Sequence, residues 1–349
     1  MSNADKGDYQ VEPGQEVVID LMRPEDAEGV AGCFLAVYGQ GYPVRTYIEP
    51  ELLAKANEEK EVISTVARTT GGQVVGHCAI FSSAPCPKIK ESGAGVVLPT
   101  YRAQGLSAKM AAHSVKMAAP QFDIELVFGE AVCNHPFSQK MCHGLGYVTM
   151  ALEVDLMPAS AFGKEKSAPG RVATLLDFIT VTPRPHTVYL PRVYEEKLRF
   201  IYEGYGEERG FQLSDDPPPA ASRSSIKTEV FEFAQVARMA VHEAGADLAE
   251  IIAQEEAAAA AQGCTVFQAW LNLASPQVGA SVETLRQTGW FLGGALPRWF
   301  DDDGLLMQKI LHQPSWDDMV IVFERAKEIA SMVRRDWERA QQRASTAST

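Results

Sequence analysis

The chain has 349 residues, 46% of them hydrophobic and 22% charged, which is enough for two domains with substantial cores. Its formal net charge of −13 argues against nonspecific binding to nucleic acid or to an anionic membrane, while leaving room for a local basic pocket. No stretch approaches the roughly 18 uninterrupted apolar residues of a membrane span. The polar start MSNADKGDYQVEPGQE lacks the features of a signal peptide, so a cytoplasmic protein is the expectation.

Residues 1–16 read as a disordered leader. Val17 to Pro24 is a strand stopped by proline, and Glu25-Asp26 open a helix carrying Val30, Cys33, Phe34 and Val37 on one face. Tyr38 to Tyr47 (YGQGYPVRTY) is a loop that either lines a substrate pocket or is a surface turn anchored by aromatics. Pro50 to Asn57 is a second short helix. Val62–Thr69 and Val74–Phe81, joined by Gly71-Gly72, have the alternation of a hairpin. A polar connection over Ala84–Ser92 leads to a short apolar strand, Ala94 to Leu98, which Pro99 ends by removing a backbone donor.

From Tyr101 the apolar positions Leu106, Met110, Ala111 and Val115 recur at helical spacing. Between strand and helix lies the turn Arg102-Ala103-Gln104-Gly105-Leu106-Ser107, with glycine where side-chain bulk would obstruct a ligand. A helix N-terminus has unpaired N–H groups and a partial positive charge, so such a turn suits an anion; close packing alone also explains it. Ile124–Val132 is a strand, Asn134 to Cys142 a helix ended by Gly144-Leu145-Gly146-Tyr147, and Tyr147–Leu156 and Val172–Val181 are strands.

Residues 97–107 (VLPTYRAQGLS) resemble the V-x-P-x-Y-R-x-x-G-x-G/A signature of the GNAT superfamily of acyl-CoA-dependent N-acetyltransferases. The segment from Asn134 to the Gly146-Tyr147 pair is similar to that superfamily's later helix, and Arg23-Pro24 with its acidic neighbours matches its opening strand. The resemblance spans about residues 17–182. It implies an α/β (α+β) GNAT fold with a mixed sheet splayed at the acyl-CoA site. By this likeness Val96, Val97 and Leu98 bind pantetheine, and an amide near Val97 polarises the thioester carbonyl. The amides of Arg102, Ala103, Gln104, Gly105, Leu106 and Ser107 cradle the pyrophosphate of acetyl-CoA, with Arg102 and Lys109 adding charge at its rim, Lys109 being equally readable as a solvated helix residue. Asn134 contacts pantetheine, caps the helix, or does both.

Ser107 replaces the glycine often found at the end of the signature. The superfamily's usual tyrosine acid is also missing: that position is Cys142, with His143 beside it. Either side chain is a proton donor by type, and the alternative is a packing cysteine with protonation by water. For a base, Glu130 and His77 are the candidates, each equally readable as a plain strand residue. The implied activity is transfer of an acetyl group to a small-molecule or peptide amine by direct attack. The alternative is a non-catalytic module that binds acyl-CoA or a partner. A nucleotide triphosphatase would need Gly-Lys-Ser/Thr, which Gly105-Leu106-Ser107 is not.

The cysteines at 33, 78, 86, 133, 142 and 264 form no CxxC pair and read as reduced core thiols. Cys133, His135, Cys142 and His143 match no zinc spacing, so no metal is expected. Residues 184–213 read as a helical connector and 214–226 as a Pro-rich linker. Residues 227–312 repeat the order of the first part without the turn signature, which suggests a degenerate GNAT-like domain. Within it Trp290, Arg298 and Trp299 either face an acceptor pocket or pack. Residues 313–343 are an amphipathic helix that caps the body or docks to a second subunit as a homodimer.

Overall fold

The computed structural model describes residues 9–159, 170–217 and 222–347, with side chains to residue 343. The chain forms two compact units, Met1–Gly129 with Ile179–Thr182, and Glu130–Phe178 with Pro183–Thr349. The fold is α/β with a mixed sheet. Among the described residues no helix is long and apolar enough to cross a membrane.

The first unit contains β1 (Val17–Leu21), α1 (Ala27–Tyr38), α2 (Pro50–Glu58), β2 (Val62–Thr69), β3 (Val74–Phe81), β4 (Ile89–Val97), α3 (Leu106–His113), the short α4 (Ala119–Gln121) and the start of β5 (Leu126–Val132). Strands β1 to β4 pair antiparallel in sequence order, and β4 pairs with β5 in parallel. Both α1 and α3 pack on β3. This covering explains why β2 is buried along its whole length, and β3 along all but Phe81, despite serine, threonine and histidine in their sequences. The hairpin turns at Gly72, whose φ of +90° suits glycine. Arg68 of β2 grips the buried carboxylate of Asp26 through Nε at 2.8 Å and through a terminal nitrogen, fixing the start of α1 to the sheet.

Two expectations change here. Residues 1–8 of the leader expected to be disordered lie outside the described residues, and the remainder is anchored at two points: the Tyr9 ring lies on Gly32 of α1 with its hydroxyl donating to Val74 O at 2.9 Å, and Val11 is buried. A Cβ at Gly32 would sit 2.5 Å from that ring, so the glycine makes room for it. Strand β4 also begins at Ile89, inside the expected polar connection. Lys90 is accommodated because its ammonium donates to Ser82 Oγ and, at 3.3 Å, to Lys60 O. After α3 the helix widens into a π-turn at Ser114–Ala118, just ahead of Pro120, which has no N–H to donate.

The second unit contains the rest of β5, then α5 (Phe137–Gly144), β6 (Val148–Pro158), β7 (Arg171–Thr180, whose last residues belong to the first unit), β8 (His186–Pro191), α6 (Glu195–Tyr202) and β9 (Arg209–Ser214). It continues with β10 (Ser225–Phe231), β11 (Val236–Glu243), α7 (Leu248–Ala261), β12 (Val266–Asn272), α8 (Val278–Gln287), β13 (Phe291–Leu296), β14 (Gly304–Ile310) and α9 (Glu324–Ala347). Its strand order is β7-β6-β13-β14-β12-β11-β10, with β8 and β9 as a separate parallel pair. The expected boundary near residue 183 therefore moves, since most of β6 and β7 belongs with the later strands. The connector is not purely helical, because β8 and β9 flank α6. Part of the expected linker, 218–221, lies outside the described residues, and its end is the start of β10.

Within this unit, β4-like and β5-like strands recur as β11 and β12, parallel, followed by α8 and the β13–β14 hairpin. Strands β6 and β13 meet where Gly294 faces Ala151. Gln308 of β14 accepts from Val154 N at 2.8 Å and donates to Leu152 O at 2.9 Å, so its side-chain amide stands in for a strand peptide. Helix α9 packs on β6 and β13 with Ala326, Ile329 and Val333 fully buried. Trp316, expected at its start, lies in a separate short turn and touches Trp337 at 5.7 Å. All five tryptophans, at 270, 290, 299, 316 and 337, fall in this second unit.

Gly294 has φ +140°, and a Cβ there would lie 2.4 Å from Met150 O. Gly294→Ala is expected to destabilise the protein by more than about 2 kcal/mol, read as a lowered midpoint in denaturant unfolding. A variant as stable as the wild type would refute this close contact.

Candidate active site

In the first unit, the parallel ladder of β4 with β5 runs from Ile89↔Leu126 to Glu91↔Phe128 and stops there, although β4 continues to Val97. On its other edge β4 stays paired with β3, through Ser92↔Ile80 and Gly93↔Ala79 and again at Val96↔His77. The register slips between these pairs, so Ala94 and Gly95 form a bulge opposite Cys78. Ala94 has φ +48°, an unusual backbone for a residue with a Cβ.

The bulge is clasped from both sides. His77 Nδ1 donates to Ala94 O at 2.9 Å, which makes Nε2 the acceptor of the Ser64 hydroxyl, also at 2.9 Å. Tyr38 OH donates to Gly95 O at 3.2 Å. The rings of Phe34, Tyr42 and Tyr47 pack around this point, Phe34 lying 5.6 Å from His77. Burial pushes the His77 imidazole down to about 4, so it is a neutral fixture of the strand and not the base considered above.

Beyond the bulge Leu98 N donates to Val75 O at 2.9 Å. Antiparallel alternation therefore turns the N–H and C=O of Val97 away from β3. Arg102 Nε reaches back to that carbonyl at 3.2 Å. Val96, Val97 and Leu98 have buried side chains, so it is their backbone that a ligand would meet. In the turn, Arg102 N is used by Pro99 O at 3.3 Å, which removes it from the expected set of amides. Among the described residues, the N–H groups from Ala103 to Ala108 have no protein acceptor; the next, Lys109, donates to Gly105 O. Ala103 and Gly105 both have left-handed φ, +65° and +69°, and a Cβ on Gly105 would meet open space. The donors are outward-facing and unblocked, an arrangement that fits a diphosphate.

Next to the bulge a cleft of about 520 Å³ is lined by Tyr42, Val44, Tyr47, Glu61, Phe81 and Ala94 among others. The loop after α1 thus lines a cleft.

The second unit holds the other named residues. Glu130 is ion-paired at 2.9 Å with Arg238, which also bonds Glu153 at 3.1 Å. Gln268 joins them, accepting from Arg238 Nε and donating to Glu153, and Thr174 donates to Glu153 at 2.8 Å. Burial, with Glu130 adding like charge, raises Glu153 to about 7. Glu153, Arg238 and Gln268 were not singled out from sequence; the only signal is a polar side chain within each largely apolar strand.

Cys142 is buried with its thiol on the Asp177 carboxylate, and burial pushes it up to about 12. Burial of the thiol favours the packing reading of this cysteine over the proton-donor one. His143 is exposed and stacks on Phe323 at 4.0 Å. Asn134 is buried but caps nothing, since α5 starts after Pro136, and its Oδ1 has no partner. Trp290, Arg298 and Trp299 are all buried: Trp299 packs edge-on against Trp270, and Arg298 is bound by Glu207 at 3.0 Å. Packing, the second of their readings, is what they do. Among the described residues no group of His, Cys, Asp or Glu is placed to hold a metal ion.

No known protein family profile and no curated protein matches this sequence. Similar solved structures include an N-acetyltransferase from Staphylococcus aureus, 11% identical, covering 48% of this chain and 99% of its own, with a TM-score of 0.40. A ribosomal-protein-S5-alanine acetyltransferase from Vibrio fischeri is 12% identical over 49% of this chain and 95% of its own, at 0.38. A putative acetyltransferase from Salmonella typhimurium, solved with acetyl-CoA, is 11% identical over 48% and 96%, at 0.39.

Because His77 is neutral when buried but ionises near 6.5 when unfolded, its contribution to stability is complete above about pH 6.5. It is lost as pH falls toward 4, by at most about 3 kcal/mol. His77→Gln should lose less stability than the wild type between pH 7 and pH 4.5 in denaturant unfolding. Equal losses would show that the imidazole is not the titrating group.

Proposed function

We propose that this chain is a GNAT-type N-acyltransferase that moves an acetyl group from acetyl-CoA to an amine. The observation that carries the reading is the run of unpaired N–H groups from Ala103 to Ala108, in an open turn at the end of a strand whose outer edge is free. The diphosphate of coenzyme A would accept from those amides, with the terminal nitrogens of Arg102 and the Lys109 ammonium at its rim. The pantetheine arm would lie along Val96 to Leu98 as a strand-like partner, and Val97 N–H would face the thioester carbonyl. A donor held there stabilises the charge that develops on that oxygen.

The transfer needs no covalent intermediate on the protein. The acceptor nitrogen attacks the thioester carbon, the C–S bond breaks, and the thiol leaves. With the Cys142 thiol buried, this reading takes protonation of the leaving thiolate from solvent. Glu130 is charge-paired with Arg238, and no base is required for an acceptor that arrives partly deprotonated.

The later repeat would have lost this ligand. Its parallel strands pair without interruption from Val236↔Val266 to Val241↔Leu271, closing the edge that β4 leaves open. The turn before α7 is filled by the chain itself: Gly245 N donates to Ser224 Oγ at 3.0 Å and Ala246 N to Ser222 O at 3.2 Å. A binding-only module remains the second reading, favoured by the burial of the Cys142 thiol.

Titration calorimetry with acetyl-CoA tests the proposal, and no heat at millimolar ligand would end it. Thiol release with any amine would remove the binding-only reading. Ser107→Glu puts a carboxylate in the first turn of α3, where it suits the helix but opposes a diphosphate. It should weaken acetyl-CoA binding by at least about tenfold with the melting temperature unchanged or raised.

A further inference from the structure

The cleft beside the bulge has mainly aromatic and aliphatic walls, with the hydroxyls of Thr46 and Ser82 among them. Tyr42 and Tyr47 from the loop after α1, and Phe81 from the end of β3, give it aromatic faces, and Val44 adds an aliphatic one. Burial raises both tyrosine hydroxyls above their ordinary range, so both stay neutral. Ala94 opens β4 itself to the cleft, at the bulge and three residues before Val97. Charge enters the lining only at Glu61, an exposed carboxylate. Lys90, which feels that carboxylate, has its ammonium turned into Ser82 Oγ and Lys60 O.

A polyamine has several cationic centres along a thin chain and calls for carboxylates at matching spacing, which one glutamate does not provide. A peptide brings a run of backbone groups that these walls cannot all partner, since Thr46 and Ser82 supply the lining's only non-aromatic hydroxyls and Ser82 Oγ already holds Lys90. An apolar body bearing one amine satisfies both walls and rim: rings and branched alkyl groups are buried by the aromatics, and Glu61 attracts the ammonium as it arrives. From this we infer that the acceptor is a primary amine on an aromatic or branched-alkyl body, of the aralkylamine type. The inference rests on the acyltransferase reading. In the step itself the neutral amine forms the C–N bond to the acetyl carbon and the C–S bond breaks. The proton lost from nitrogen is balanced by one gained by the thiolate, giving the amide and free coenzyme A.

Thiol release from acetyl-CoA is measured with 2-phenylethylamine, tryptamine and isoamylamine against spermidine and a short peptide with a free N-terminus. Acetyl-CoA binding is followed separately by calorimetry. For phenylethylamine, kcat/KM should exceed that for spermidine and for the peptide by at least about tenfold. Val44→Trp, at an exposed wall position, should raise the phenylethylamine KM by about tenfold and leave acetyl-CoA affinity within about twofold. Turnover of spermidine or the peptide at equal or better efficiency overturns the acceptor class and leaves acyl transfer standing. Acetyl-CoA binding with no aralkylamine acetylated also overturns it. An unchanged KM in Val44→Trp removes the acceptor from this cleft, and failure to bind acetyl-CoA removes both readings.

Discussion

From Ser92 to Val97, strand β4 has a pairing partner on one edge only. A strand edge without a partner normally has to be covered or interrupted, because its amides and carbonyls invite unwanted pairing. Here the carbonyls are taken selectively. His77 holds that of Ala94, Tyr38 that of Gly95 and Arg102 that of Val97. Donors, not acceptors, are thereby left at the end of the strand, and the turn that follows extends the same polarity through Ala108. The aromatic cluster on Phe34, the buried neutral imidazole and the bulge all serve to keep this one stretch of backbone in place. Its bias toward donors is what the proposed acyl carbonyl and diphosphate would complement.

The second unit shows what happens when the same order of elements is not under that demand. Strands β11 and β12 close along their length, and residues 222–224 occupy the amides ahead of α7. Gly245 is required there for a different reason from Gly105. A Cβ on Gly245 would lie 2.5 Å from Ser222 O, whereas a Cβ on Gly105 would meet nothing. One glycine lets the chain pack on itself, and the other leaves space outside it.

Much of the first unit was legible because its signals are local. The hairpin over Val62–Phe81 follows from alternation and a Gly-Gly turn, and the open turn at Arg102–Ser107 from a proline, a glycine and a helical period. What escaped depends on distant partners. The first half of β4 looks polar until Lys90 is seen reaching Ser82, and the leader looks loose until Tyr9 meets the glycines of α1. The division into units falls within β5, between Gly129 and Glu130, where no change of composition marks it. Glu130 could be named from the sequence, but Arg238, its partner 108 residues later, could not. For Cys142, the sequence around it shows neither the burial of the thiol nor its contact with Asp177.

The uneven placement of indole rings has an optical consequence. Every tryptophan lies beyond residue 182, whereas the tyrosines divide evenly, with Tyr9, Tyr38, Tyr42, Tyr47 and Tyr101 in the first unit and Tyr147, Tyr189, Tyr194, Tyr202 and Tyr205 in the second. Excitation at the red edge of the absorption band therefore reads the second unit alone, and its indole emission follows the melting of that half with no label attached.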